Sequence, residues 1–92
     1  SFEIYPNPVS SDFTLAIQFS KGVHSDNLSE DQSAIIYLLN ILGQVIYTSN
    51  ETSGNGKITK VITMPSSASS GWYVVRVVMS DQVMEQKFLY QQ

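Results

Sequence analysis

Apolar and polar residues alternate along much of this 92-residue chain with the period of a β-strand. Between Asp12 and Ser20, Phe13, Leu15, Ile17 and Phe19 fall on one side and Thr14, Ala16 and Gln18 on the other. One apolar face at period two predicts a half-buried strand in an antiparallel sheet. Trp72 to Met79 repeats the pattern, with Tyr73, Val75, Val77 and Met79 on one face and Arg76 marking the other. Ser33 to Ile41 is apolar on both sides; its β-branched and aromatic content favours a central strand over a short helix.

Turn chemistry separates these segments. Phe2 to Tyr5 is a short strand ended by Pro6 and Pro8, neither of which can donate to a ladder. The two prolines fix φ on either side of Asn7, and together they form a stiff corner with no chemistry of its own. Lys21 to Gln32 is polar and aperiodic, and reads as a long loop. Leu42-Gly43-Gln44 predicts a tight turn into a partner strand over Val45 to Thr48, with Gly43 free to take positive φ. Ser49 to Gly56 is rich in turn formers and reads as a second loop. Lys57 to Met64 is a strand stopped by Pro65; Ser66 to Gly71 leads into the Trp72 strand; Ser80-Asp81-Gln82 turns into a last strand over Val83 to Tyr90.

Seven short strands at regular spacing, with no helix of useful length, predict an all-β sandwich with antiparallel strands. Tyr73 sharpens the topology. Ig-like domains place a Tyr near the start of a late strand, where its hydroxyl bonds back to the preceding corner. Val75 stands two residues later, where such domains often carry Cys, so an aliphatic pair is expected to fill the space of a disulfide. The expected fold is therefore an Ig-like β-sandwich of about seven antiparallel strands, formed by residues 1–92 as a single domain. With no initiator Met and no signal-peptide apolar core, the chain reads as a module of a longer protein.

Composition narrows the function classes. Charged residues make up 14% of the chain, against about 25% in typical soluble domains. Five Lys and Arg, scattered from Lys21 to Lys87, and a net charge of −3 offer no phosphate-neutralising patch for nucleic acid. No apolar run reaches the roughly 18 residues of a membrane-spanning helix. With no cysteine, disulfides, thiol catalysis and thiolate metal sites are excluded.

Catalysis finds little support. His24 is the only imidazole; it shares its loop with Asp26, Glu30 and Asp31 at spacings that match no metal motif, and the segment reads as a solvated acidic loop. A serine nucleophile would need a base in reach and an oxyanion hole, and no Gly-x-Ser-x-Gly is present. The eight acidic residues lie mostly in loops and turns rather than as paired carboxylates. No catalytic residue, cofactor or metal is expected. Asn27-Leu28-Ser29 and Asn50-Glu51-Thr52 match the glycosylation triplet, as chance allows in a chain rich in Ser and Asn. Trp72 and Tyr47 read as cover for the sandwich or its edge in preference to a sugar-binding face.

Four segments stand in a telling order: Tyr5-Pro6-Asn7-Pro8, Asn40-Ile41-Leu42-Gly43-Gln44-Val45, Gly71-Trp72-Tyr73-Val74-Val75-Arg76-Val77 and Lys87-Phe88-Leu89-Tyr90. In this combination the chain resembles the C-terminal sorting domains of the type IX (Por) secretion system of Gram-negative bacteria. The resemblance implies an Ig-like, non-catalytic module at the C-terminus of a cargo protein, which lies N-terminal to it in cis. Such cargo crosses the inner membrane with its own signal peptide. The sorting domain then directs it through the outer-membrane secretion machinery, and a sortase-like protease removes the domain as the cargo is anchored at the surface or released. Carried over by position, the recognition candidates are Leu42, Gly43 and Gln44; Gly71, Tyr73 and Val75; and Lys87, Phe88, Leu89 and Tyr90. Tyr5, Pro6, Asn7 and Pro8 form the structural motif. The chain departs from the family pattern in a longer loop over Lys21 to Gln32 and in a terminal segment with a single Lys. The final strand is expected to offer backbone donors and acceptors for strand addition. The alternative is an Ig-like accessory module that binds carbohydrate or a cell-surface ligand.

Overall fold

The alternating segments fold as strands throughout. A computed structural model describes residues 1–18 and 32–92, and every regular element among them is a strand: β1 (Phe2–Tyr5), β2 (Asp12–Gln18), β3 (Ser33–Asn40), β4 (Val45–Thr52), β5 (Lys57–Thr63), β6 (Gly71–Met79) and β7 (Val83–Tyr90). They form two antiparallel sheets, one ordered β1-β2-β5 and the other β4-β3-β6-β7. Pairing β2 with β5 and β3 with β6, across intervening strands, is the Greek-key connectivity of an Ig-like sandwich.

Period-two patterning builds the core. Phe13, Leu15 and Ile17 from one sheet meet Ile36, Leu38, Val75, Val77 and Phe88 from the other, all at most 2% exposed. Val75, at the position of the expected missing cysteine, is fully buried in this cluster. The Tyr73 hydroxyl donates to the Ser69 carbonyl at 2.6 Å, which is the corner bond that its place in the sequence predicts.

Several boundaries move. β4 runs to Thr52 rather than Thr48, because Ser33↔Thr52 and Ile35↔Asn50 continue the ladder with β3 even though the strand turns polar. The predicted loop of residues 49–56 shrinks to a tight turn at Asn55-Gly56. Both residues have positive φ, 56° and 74°, and Gly54 and Lys57 exchange backbone hydrogen bonds across them. β3 ends at Asn40, whose side chain starts the next turn, so Ile41 is loop rather than strand. Met64 leaves β5, but it is buried and its N–H donates to the Ser11 carbonyl at 3.0 Å. β3 is apolar on both sides; Ala34, Ile36 and Leu38 enter the core cluster and Leu39 is buried at the end of the strand, whereas Ile35 is exposed on the outer face. Phe19, placed at the end of the second strand, and the His24 loop lie outside the described residues.

Candidate functional site

Strand register decides where the four segments meet. Asn40 pairs with Tyr73, and Gly71 pairs with Tyr90, so the turn after β3, the start of β6 and the end of β7 share one end of the sandwich. The Pro6–Pro8 corner joins them: the Val9 N–H donates to the Leu89 carbonyl at 2.8 Å and the Gln91 N–H to the Val9 carbonyl at 2.7 Å. Val9 thus leaves the sheet of β1 to run parallel beside β7, and its side chain is fully buried. Both Tyr5–Pro6 and Asn7–Pro8 peptide bonds are cis. The N-terminus lies at the opposite end, where the Ser1 ammonium donates to the Gln18 carbonyl at 2.7 Å.

The β3–β4 turn is held by one side chain. Asn40 Oδ1 accepts from the N–H groups of Leu42 and Gln44, each at 3.0 Å, and Asn40 Nδ2 donates to Gln44 Oε1 at 2.8 Å. Gly43, at φ 83°, takes the left-handed conformation that a side chain disfavours; the space around it is open, so backbone strain alone selects glycine. The result is a fixed tip that projects Ile41, 68% exposed, and Leu42, 79% exposed, into solvent. Large aliphatic side chains so far from any core call for another explanation than packing.

Facing this tip is the corner between β5 and β6. Asn40, Ile41 and Leu42 on one side and Ser67, Ala68 and Trp72 on the other line an open cleft of about 370 Å³. The end of the chain ties the corner down: the Gln92 N–H donates to Ser70 Oγ at 3.0 Å and its side-chain amide to the Ala68 carbonyl at 2.8 Å. Trp72 is 46% exposed and carries the Lys87 ammonium over its ring at 4.8 Å. One strand step away, Arg76 pairs with Glu85 on the same outer face.

The candidates therefore divide into two groups. Leu42, Gly43, Gln44 and Lys87 are at the surface, with Gly71 and Leu89 half-buried. Tyr73, Val75, Phe88 and Tyr90 point into the core, where the Phe88 ring lies 4.8 Å from Phe13 and 6.0 Å from Tyr73. A partner of the folded domain can touch the first group directly; the second supports it from beneath.

Among the described residues, nothing at this end resembles acid–base machinery. Glu51 has a lowered pKa, held below the usual carboxylate range chiefly by the Ser49 hydroxyl that donates to it; burial opposes this, and Lys60 at 3.3 Å adds to the lowering. This ion pair joins β4 to β5 across the sandwich, far from the tip, and is structural.

A family model described as the secretion system C-terminal sorting domain matches residues 3–91. The chain belongs to this family. A search of the curated proteins found no match. The sorting domain is thus a C-terminal sorting signal for type IX secretion, which delivers its protein across the outer membrane to the cell surface or the medium. The family is a signal domain and in general non-catalytic.

Two contributors to this end of the sorting domain escape a reading by residue type. Ile41 looks like strand until the turn is built, and Asn40 reads as a polar residue within that same strand. The available signal was the Asn-x-x-Gly spacing, since Asn readily bonds the backbone two residues on.

Proposed function

We propose that the sorting domain is read at the end where its motifs converge. The type IX machinery of the outer membrane engages the Ile41–Leu42 tip, the adjoining cleft and the Trp72–Lys87 surface. The carrying observation is that exposed apolar side chains at this end are held out by dedicated hydrogen bonds and sit among the family motifs. In this reading residues 1–92 form a single C-terminal domain of a longer secreted protein, with its cargo on the N-terminal side of β1. The cargo then lies at the far end of the sandwich, clear of the machinery that reads the tip. A sortase-like protease separates the two at that junction once export is complete.

The test is a reporter carrying these 92 residues, expressed with and without the translocon. Export that depends on the translocon, and that falls when Ile41 and Leu42 are both changed to Ser, supports the reading. Equal export by the doubly substituted domain contradicts it. Deleting Phe88 to Gln92 is a poorer test, because it removes two buried core rings together with the surface.

A further inference from the structure

β7 closes its sheet, and one side of it has no neighbouring strand over most of its length among the described residues. The bonds from Val9 N–H to the Leu89 carbonyl and from Gln91 N–H to the Val9 carbonyl show which residues face outward. By strict alternation, Val83, Glu85 and Lys87 also direct their N–H and C=O groups to this open edge, while Met84, Gln86 and Phe88 bond to β6. The side chains of Val83, Glu85 and Lys87 are exposed. An open edge of this kind is a template for another strand.

We infer that this edge pairs antiparallel with the same edge of a second copy of the chain, with the two-fold axis at Gln86. The choice rests on self-complementarity. Outward-facing groups meet only if odd-numbered residues lie opposite odd-numbered ones. With Gln86 opposite the partner's Gln86, Glu85 faces the partner's Lys87 and Lys87 faces the partner's Glu85. Charge meets opposite charge, and the central amides can bond to each other. Moving the axis one residue to either side sets Glu85 against the partner's Glu85 or Lys87 against the partner's Lys87, which disfavours both neighbouring registers.

Intrachain contacts extend the pattern. Each Glu85 carboxylate, already paired with Arg76, gains the partner's Lys87 on its other side; each Lys87, already over the Trp72 ring, gains the partner's Glu85. Val9 occupies the edge from Leu89 onward, which confines the shared ladder to Glu85 and Lys87. The dimer is therefore weak, isologous and concentration-dependent.

Sedimentation equilibrium over a concentration series tests this independently of export. The average mass of the chain should rise from 10.2 kDa toward twice that value. Glu85→Lys and Lys87→Glu, each alone, place like charges opposite each other and should weaken association at least about tenfold. An equimolar mixture of the two variants should restore it, as should the chain carrying both changes. Glu85→Pro, which removes an outward N–H without touching the β6 ladder, should abolish association while circular dichroism stays unchanged. A chain monomeric at every concentration, a dimer indifferent to the charge reversals, or a mixture no better than its components would overturn the proposal.

Discussion

The two ends of the sandwich are finished in different ways. At the motif-bearing end, side chains do the work of closure: Asn40 holds the β3–β4 turn, Tyr73 holds the corner before β6, and Gln92 ties the last residue to Ser70 and Ala68. At the far end, the described closures are mostly backbone bonds: the Ser1 ammonium to the Gln18 carbonyl, the reciprocal pair between Gly54 and Lys57, the Met79 N–H to the Gln82 carbonyl, and the meeting of Gln32 with Ser53, whose hydroxyl accepts from the Gln32 N–H. The first end leaves Ile41, Leu42 and Trp72 in solvent together, whereas the far end exposes Val83 at the start of β7. The motif-bearing end thus carries several side-chain bonds where the far end relies mainly on backbone ones. Such investment around exposed apolar groups is what a recognition surface needs and what folding alone does not.

The largest effect should come from the core that both ends share. Phe88→Ala removes a fully buried ring packed on Phe13 and Tyr73 and should cost about 3–5 kcal/mol. Denaturant unfolding checks the value, and export should collapse together with folding. Tyr73→Phe is narrower. It strands the Ser69 carbonyl and should cost roughly 1–2 kcal/mol. Hydrogen exchange should speed up around Ser69 to Trp72, with protection near Gln18 and Lys57 unchanged; uniform loss at both ends would break the comparison.

The tip itself offers a smaller thermodynamic effect with a larger functional one. Asn40→Ala removes three solvent-exposed hydrogen bonds and should cost about 1 kcal/mol. Gly43→Val meets no steric block but strains a backbone at φ 83°, at about 1–2 kcal/mol. Both should reduce export more than their melting temperatures explain. If export tracks stability alone, the tip is only a turn.

The smallest effect tests the flank. The Glu51 carboxyl has its pKa lowered in the folded state by Ser49 and Lys60. Its contribution to stability is therefore complete above the unfolded value of about 4.3 and is lost as pH falls through the lower folded value. Glu51→Gln should flatten this acid limb of the stability profile in thermal melts, and leave export untouched.

Much of this was legible in the sequence, for identifiable reasons. The strands announce themselves where the sandwich buries one face, and Phe13-x-Leu15-x-Ile17 and Tyr73-x-Val75-x-Val77 print that face at period two. The Tyr73 corner was legible because its chemistry is local. The polar half of β4 was not: Ser49 to Thr52 belongs to an edge strand, where pairing with β3 decides the structure and no apolar pattern is required. The site was legible as segments but not as a surface. Whether Phe88 or Lys87 faces a partner follows from register, and the meeting of Asn40 with Tyr73 and of Val9 with Leu89 depends on crossovers that composition does not encode. The buried character of Tyr73, Val75, Phe88 and Tyr90 separates what supports recognition from what can perform it.

Leu42→Ser tests the central claim most directly, because Leu42 is 79% exposed and lies outside the core. Export of a reporter and thermal stability of the isolated domain should be measured on the same variant. The account predicts stability within about 0.5 kcal/mol of the parent and a severe loss of translocon-dependent export. Full export by this stably folded variant would contradict it.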